Sequence, residues 1–139
     1  MSHDWVRDIN GMHQHYSFHE QVDRLPPEKL LELLKFRSKF LREELNELDK
    51  AIDEGDAEGV VDALIDLEVV AIGTADLFHI DQYKAWNAVL RANLGKALGV
   101  KPGRPNPFGF PDLIKPEGWK APTHAGNHGL VAVALEKKQ

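Results

Sequence analysis

Cysteine is absent from this chain of 139 residues, which excludes disulfides, thiolate metal sites and thiol nucleophiles. Long apolar runs are absent as well, and none approaches the roughly 20 residues that a membrane-spanning helix needs. The first ten residues, MSHDWVRDIN, contain no signal-peptide core. A cytoplasmic setting is expected, or the host cytoplasm if the chain is viral. A basic excess is also missing. Lys and Arg number 17 against 22 Asp and Glu, a formal net charge of -5. That balance argues against nucleic acid as a partner. It leaves small phosphorylated ligands open, because a bound cation inverts the local charge. Internal repeats and low-complexity tracts are lacking. What remains is an ordinary globular composition, 42% apolar and 28% charged, of a length suited to one domain over residues 1–139.

The apolar positions recur at helical spacing. Trp5, Ile9, Met12 and Tyr16 predict a first helix from Asp4 to about Glu20, weakened by Gly11. Pro27 suits the first turn of a second helix, because its missing N–H costs nothing there. Leu30, Leu34, Leu41, Leu45, Leu48 and Ile52 carry that helix to about Glu54. Gly55 is the expected C-cap and Asp56 the next N-cap. The third predicted helix, Ala57 to Phe78, is apolar nearly all round and is expected at the centre. Asp81 caps a fourth, Gln82 to Leu98, with Trp86, Val89, Leu90 and Leu94 inward and Gly99 at its end. From Val100 to Asn127, proline and glycine are dense and no regular helix is expected. The aromatics Phe108, Phe110 and Trp119 predict an ordered, irregular tail. The short apolar piece from Gly129 to Leu135 fits a strand, a short helix or a docking segment. The expected fold is all-α: a small antiparallel four-helix bundle over about residues 4–98, followed by a Pro/Gly-rich tail.

Two helices concentrate acid. Glu43, Glu44 and Glu47 lie in REELNEL, and Asp62 and Asp66 lie in the otherwise apolar VVDALIDLEVV. Within each run the acids are three or four residues apart, so they share a face. Counted from Gly55, Glu47 and Asp62 are at nearly equal distance along the two arms of a helical hairpin, at about 1.5 Å per residue. One shared site is therefore expected. Bare carboxylates on an apolar helix are costly and stacked ones repel, so a divalent cation is the simplest stabiliser. Carboxylates without His or Cys suit Mg²⁺ or Mn²⁺, with ligation completed by water and phosphate. The plain alternative is a solvated acidic face with i,i+4 ion pairs to neighbouring Lys and Arg.

With these residues in view, the chain resembles the all-α nucleoside triphosphate pyrophosphohydrolases, the MazG-like and phosphoribosyl-ATP pyrophosphohydrolase-like group. More narrowly, it resembles the short single-domain forms common in phages and bacteria. The matching segments are FHEQV (18–22), REELNELDKAIDEGD (42–56), VDALIDLEVVAIGTADLFHID (61–81), VLRANLGK (89–96) and KPEGWKAP (115–122). The resemblance implies Mg²⁺-dependent cleavage of a nucleotide between its α- and β-phosphates, giving a monophosphate and pyrophosphate. It places Glu44, Glu47 and Asp66 on metal-binding positions. Many members carry Glu three residues before the last Asp, where this chain has Ala63. Asp62 is one position earlier on the same face and becomes the fourth expected ligand. Glu43, beside the ligand pair, is the expected general base or water-positioning group. Asn93 and Lys96, on one face of the fourth helix, match the family's phosphate-binding pair. Arg37, Arg91 and His19 are further substrate-binding candidates.

MHQHYSFH holds His13, His15 and His19, but His13 and His15 fall on different helix faces, so HxHxxxH is not taken as a metal motif. Trp5, Trp86 and Trp119 are suited to stacking on a base, though packing is the commoner use. Some phage relatives of the MazZ type act on dGTP, so guanosine or deoxyguanosine triphosphate is the expected substrate. dUTP or non-standard nucleotides are the alternative. A homo-oligomer, dimer or tetramer, is expected because so apolar a third helix carries more surface than four helices cover. A different class of function is a non-catalytic helical oligomerisation module.

Overall fold

A computed structural model describes residues 3–103 and 106–136. The described chain is mainly helical: α1 (Trp5–His15), α2 (Phe18–Asp23), α3 (Pro27–Asp53), α4 (Ala57–Leu77), α5 (Gln82–Leu94) and α6 (Leu130–Ala134). Two short strands, β1 (Ala97–Gly99) and β2 (Asp112–Ile114), pair antiparallel with Ala97 opposite Ile114. The all-α class expected from periodicity holds. The chain divides into two compact units, residues 1–82 with 126–139, and residues 83–125.

In the first unit, the long hairpin of α3 and α4 is the frame. Glu54 ends α3 and Gly55 follows at φ +67, the left-handed conformation that glycine adopts without a Cβ penalty. Asp56 N–H donates to Ala51 O at 2.8 Å and Gly55 N–H to Ile52 O at 3.1 Å. That pair of bonds satisfies the last carbonyls of α3. Asp56 then caps α4 by accepting from the Gly59 N–H at 3.0 Å. Both caps fall where the sequence puts them.

The first predicted helix is two. Ser17 sits at φ +56, breaking the helix between His15 and Phe18 and redirecting the chain. A hydroxyl residue tolerates this poorly compared with glycine, and no composition signal marks it. Val22 from α2, Leu30 from α3, Leu77 and Phe78 from the end of α4, and Ala134 from α6 form the core. Phe78 is wholly buried. The undecided segment near the C-terminus is thus a helix, α6, laid against α3 and the end of α4. Its backbone is anchored by Leu130 N–H to Phe78 O at 2.7 Å. Asn127 fixes the approach: its Oδ1 accepts the Asp81 N–H and its Nδ2 donates to Asp81 O, both at 2.8 Å.

The apolar third helix is only half buried in the single chain. Ala63, Val70, Gly73 and Leu77 are inside, whereas Val61 (63% exposed), Leu64 and Ile65 face outward. In the second unit, α5 stops at Leu94, four residues short of the expected end. The Ala97–Gly99 segment joins a hairpin with tail residues instead. Trp86 and Leu94, expected to face inward on α5, are exposed, 68% and 76%.

Gly129 starts α6 at φ +52, and a Cβ there would collide with the Phe78 carbonyl. Gly129→Ala should therefore cost on the order of 2 kcal/mol or more. The unfolding midpoint should fall by about 5 °C or more, measured by thermal or urea denaturation. An unchanged midpoint would show that α6 does not depend on this contact.

Candidate active site

The α3–α4 hairpin gathers four of the five expected acids into one electrostatic set. Glu44 is buried, 8% exposed, and its Oε2 lacks a hydrogen-bond partner. Burial pushes the Glu44 carboxyl up from its ordinary value. The charges of Glu47 and Asp66, a hydrogen bond with Glu47, and the charge of Asp62 push the same way. Asp66, half-buried on α4, is also raised, by burial first and then by Asp62 and Glu47, with Asp62 also hydrogen-bonded to it. Glu47 and Asp62 are exposed. No three of these carboxylates bring oxygens within 4.8 Å of one another. They are neighbours that repel, bonded only as the pairs Glu44–Glu47 and Asp62–Asp66.

This pattern does not match a solvated face neutralised by ion pairs. Lys29–Glu32 and Lys50–Glu54 pair within 4.0 Å, and none of the four acids pairs with a described Lys or Arg. A buried carboxylate oxygen with no donor, beside three further carboxylates, is a hard-oxygen donor set with unmet charge. That is the chemistry that holds Mg²⁺ or Mn²⁺, and these residues fit such an ion. Glu43 is exposed.

Arg37 lies one turn towards the α4 C-terminus from Asp66. Its Nε donates to Thr74 Oγ1 at 2.9 Å and its Nη2 to Val70 O at 3.1 Å. Half-buried and tied to the α4 backbone, it pins α3 to α4, and burial lowers its pKa.

About 15 Å beyond Asp66 along α4 lies a residue that sequence reasoning did not single out, Asp76. Its Oδ2 accepts from His13 Nδ1 and His19 Nε2, each at 2.7 Å, and its Oδ1 from Asn10 Nδ2 at 2.8 Å. Gln14 extends the chain by donating to Asn10 Oδ1 at 2.9 Å. Burial alone would raise the Asp76 carboxyl, but the bonds from Asn10, His13 and His19 outweigh it and hold it below its ordinary range. The break at Ser17 is what brings His19 back beside His13. His15 stays out of the group, in keeping with its different helix face, so the pairing is His13 with His19 and not the HxH. His13, His19 and Asp76 offer three ligand atoms within 4.8 Å. This is a nitrogen and oxygen donor set of a kind that borderline cations accept, and the three groups also satisfy one another as hydrogen-bond partners.

This network forms the wall of an open cleft of about 460 Å³, lined by Asn10, Gln14, His19, Asp76, His79, Ile80 and Asp81. His79 pairs with Asp23 at 2.6 Å and stacks on His19, ring centroids 6.0 Å apart. A left-handed backbone at His79, φ +58, turns the chain at the end of α4 into this wall. Of the other expected substrate residues, Asn93, Lys96 and Arg91 belong to the second unit. Asn93 and Arg91 are exposed, and Arg91 Nε donates to the Asn87 carbonyl at 3.3 Å.

The two raised carboxyls have a definite sign. A group whose folded pKa lies above its unfolded value costs stability once pH rises through that folded pKa, and costs none below the unfolded one. Metal-free protein should therefore gain thermal stability as pH falls from neutral towards the ordinary carboxylate range. Below about pH 4 the depressed Asp76 works the other way and stability is lost. Mg²⁺ or Mn²⁺ should raise the midpoint at pH 7 and do so less at pH 5. Differential scanning fluorimetry across that range is the check. Equal metal-free midpoints at both pH values would contradict the repulsion described.

The sequence matches the family model described as phosphoribosyl-ATP pyrophosphohydrolase over residues 14–93, more than half of the chain. No curated protein and no solved structure matches it. The matched span contains α3, α4 and all four coupled acids, together with His19, Asp76 and Asn93. The chain belongs to the phosphoribosyl-ATP pyrophosphohydrolase family, within the MazG-like all-α NTP pyrophosphohydrolase superfamily, and so to the nucleotide pyrophosphohydrolases.

Proposed function

We propose that the chain is a Mg²⁺-dependent nucleoside triphosphate diphosphohydrolase that cleaves between the α- and β-phosphates. The observation that carries this reading is the coupled acid set with its orphaned buried oxygen on Glu44. Glu44, Glu47, Asp62 and Asp66 would hold the ion, with Mn²⁺ able to substitute. Bound there, Mg²⁺ would neutralise phosphate oxygens and lower the pKa of water. Water attacks the α-phosphorus, the bond from that phosphorus to the bridging oxygen breaks, and pyrophosphate leaves. Glu43, next to the ligand set and solvent-exposed, takes the water proton or positions the water. Asn93 and Lys96 contact phosphate oxygens, with Arg91 as a further cation.

The base is proposed to enter the cleft of His19 and Asp76. Its polar wall mixes carboxylates, Asp76 and Asp81, with the amides of Asn10 and Gln14 and the rings of His19 and His79, and Asp76 already accepts from Asn10, His13 and His19. Guanine carries both a donor and acceptors on its edge and can meet such a mixed wall, and dGTP or GTP is proposed over dUTP and other nucleotides. Arg37 is proposed to influence substrate through the α3–α4 contact it maintains. Self-association into a dimer or tetramer is part of the proposal. Leu45 and Ile52 on α3 and Val61, Leu64 and Ile65 on α4 are all exposed in one chain. Among the described residues no helix is long and apolar enough to cross a membrane, and a cytoplasmic location is proposed.

Incubation with single NTPs and dNTPs should yield the monophosphate and pyrophosphate only when Mg²⁺ or Mn²⁺ is added. Asp66→Asn and Glu47→Ala should each lower kcat/KM by about 100-fold or more. Release of orthophosphate would overturn the cleavage site. No turnover of any nucleotide would leave the family fold serving as an oligomerisation module.

A second measurement addresses the base. If the 2-amino group donates into this wall, dGTP should exceed dITP, which lacks it, by about tenfold or more in kcat/KM. Equal rates would exclude recognition of that edge.

A further inference from the structure

The KPEGW segment, Lys115 to Trp119, has no part in the chemistry above, yet its ends meet Lys96 within the second unit. We infer that Lys115 and Lys96, held against the Trp119 indole, form a site for two adjacent phosphate groups. β1 begins directly after Lys96 and β2 ends directly before Lys115. The antiparallel register pairs Ala97 with Ile114, so the next cross-strand pair outward is Lys96 with Lys115. Like charges opposite each other on paired strands are destabilising.

Trp119 holds them there. Its Nε1 donates to the Ala92 carbonyl near the end of α5 at 2.7 Å, which fixes the ring. Lys115 Nζ lies 5.0 Å from the ring centroid and Lys96 Nζ 5.5 Å, both within cation–π range. Neither ammonium forms an ion pair with a described carboxylate. In a chain with more acids than bases, two cations are thus drawn to one indole and left without a counter-charge. A cation–π contact orients an ammonium yet leaves its N–H donors able to take oxygen ligands. A pair of compact charges of this kind suits two linked phosphates better than one. Asn93 is exposed on the preceding turn, and its carbonyl accepts the Lys96 N–H at 3.2 Å. The ligand class is inorganic pyrophosphate or the β,γ end of a nucleoside triphosphate. That identity rests on the proposed α–β cleavage, in which this group leaves. Lys115 would be a direct ligand and Trp119 a positioning residue.

Titration calorimetry of the full chain in metal-free buffer tests this without turnover. The probes are pyrophosphate and orthophosphate. The native chain should bind pyrophosphate more tightly, and Lys115→Ala should weaken pyrophosphate binding by about tenfold while leaving orthophosphate within about threefold. Lys115→Arg should restore most of the loss. Trp119→Phe should keep most of the affinity and Trp119→Leu should lose it, with circular dichroism confirming that each variant folds. The inference is overturned if Lys115→Ala binds pyrophosphate as tightly as the native chain. It is equally overturned if the native chain shows no preference for pyrophosphate. A chain that binds in this way yet hydrolyses no nucleotide would keep the site and lose the proposed reaction.

Discussion

Everything in the acid site depends on the register of one helical hairpin. The two backbone bonds across Ala51, Ile52, Gly55 and Asp56 set how far α3 and α4 slide past one another. A slip of one turn would move Glu47 by about 5.4 Å relative to Asp62 and scatter the set. The turn is local and cheap to form, because Gly55 carries no Cβ penalty and Asp56 caps the next helix with its own side chain. Farther along, Arg37 bonds to Thr74 and to the Val70 carbonyl, fixing the same register from the other side. Acids that repel cannot hold two helices together, so the register must come from groups outside the acid set.

The middle and the end of α4 have opposite electrostatics. At its middle, Asp66, coupled to Glu44 of α3, is pushed with it towards protonation by burial and by their neighbours. Near its end, Asp76 is buried too, but three donors surround it and the charge is held. Burial acts in the same direction in both places, and the partners decide the outcome. An acid with its donors supplied by the protein serves structure and shapes a polar wall. An acid whose neighbours are all acids is left to be completed by something brought in. This contrast separates the proposed metal site from the His13–His19–Asp76 group, although the latter has the tighter geometry.

Much of this was legible in the sequence where the signal is local. The span of α3, the caps at Gly55 and Asp56, and the facing of Glu47 and Asp62 follow from spacing, because a helix maps sequence onto height directly. The α1–α2 break at Ser17 was not legible, since a left-handed serine has no compositional mark. Asp76 escaped notice for a different reason. Within GTADLFHID it looks like an ordinary polar position near a helix end, and its partners His13 and His19 are about sixty residues away. The end of α5 was missed because Ala97 to Gly99 continues a helical pattern, and only pairing with residues 112–114 turns it into a strand. What sequence hides here are contacts made across long separations.

The exposed apolar residues follow from the same hairpin. On the α3–α4 pair, exposed apolar side chains flank the acid set: Leu45 and Ile52 on α3, Val61, Leu64 and Ile65 on α4. A helix of matching spacing could shield Val61, Leu64 and Ile65 while leaving the carboxylates open to nucleotide. A second copy of the hairpin has that spacing by construction, and a two-fold arrangement makes the same surface serve both sides. Self-association is accordingly proposed as the completion of the fold around the acid site, since it would cover these apolar side chains beside the acid set.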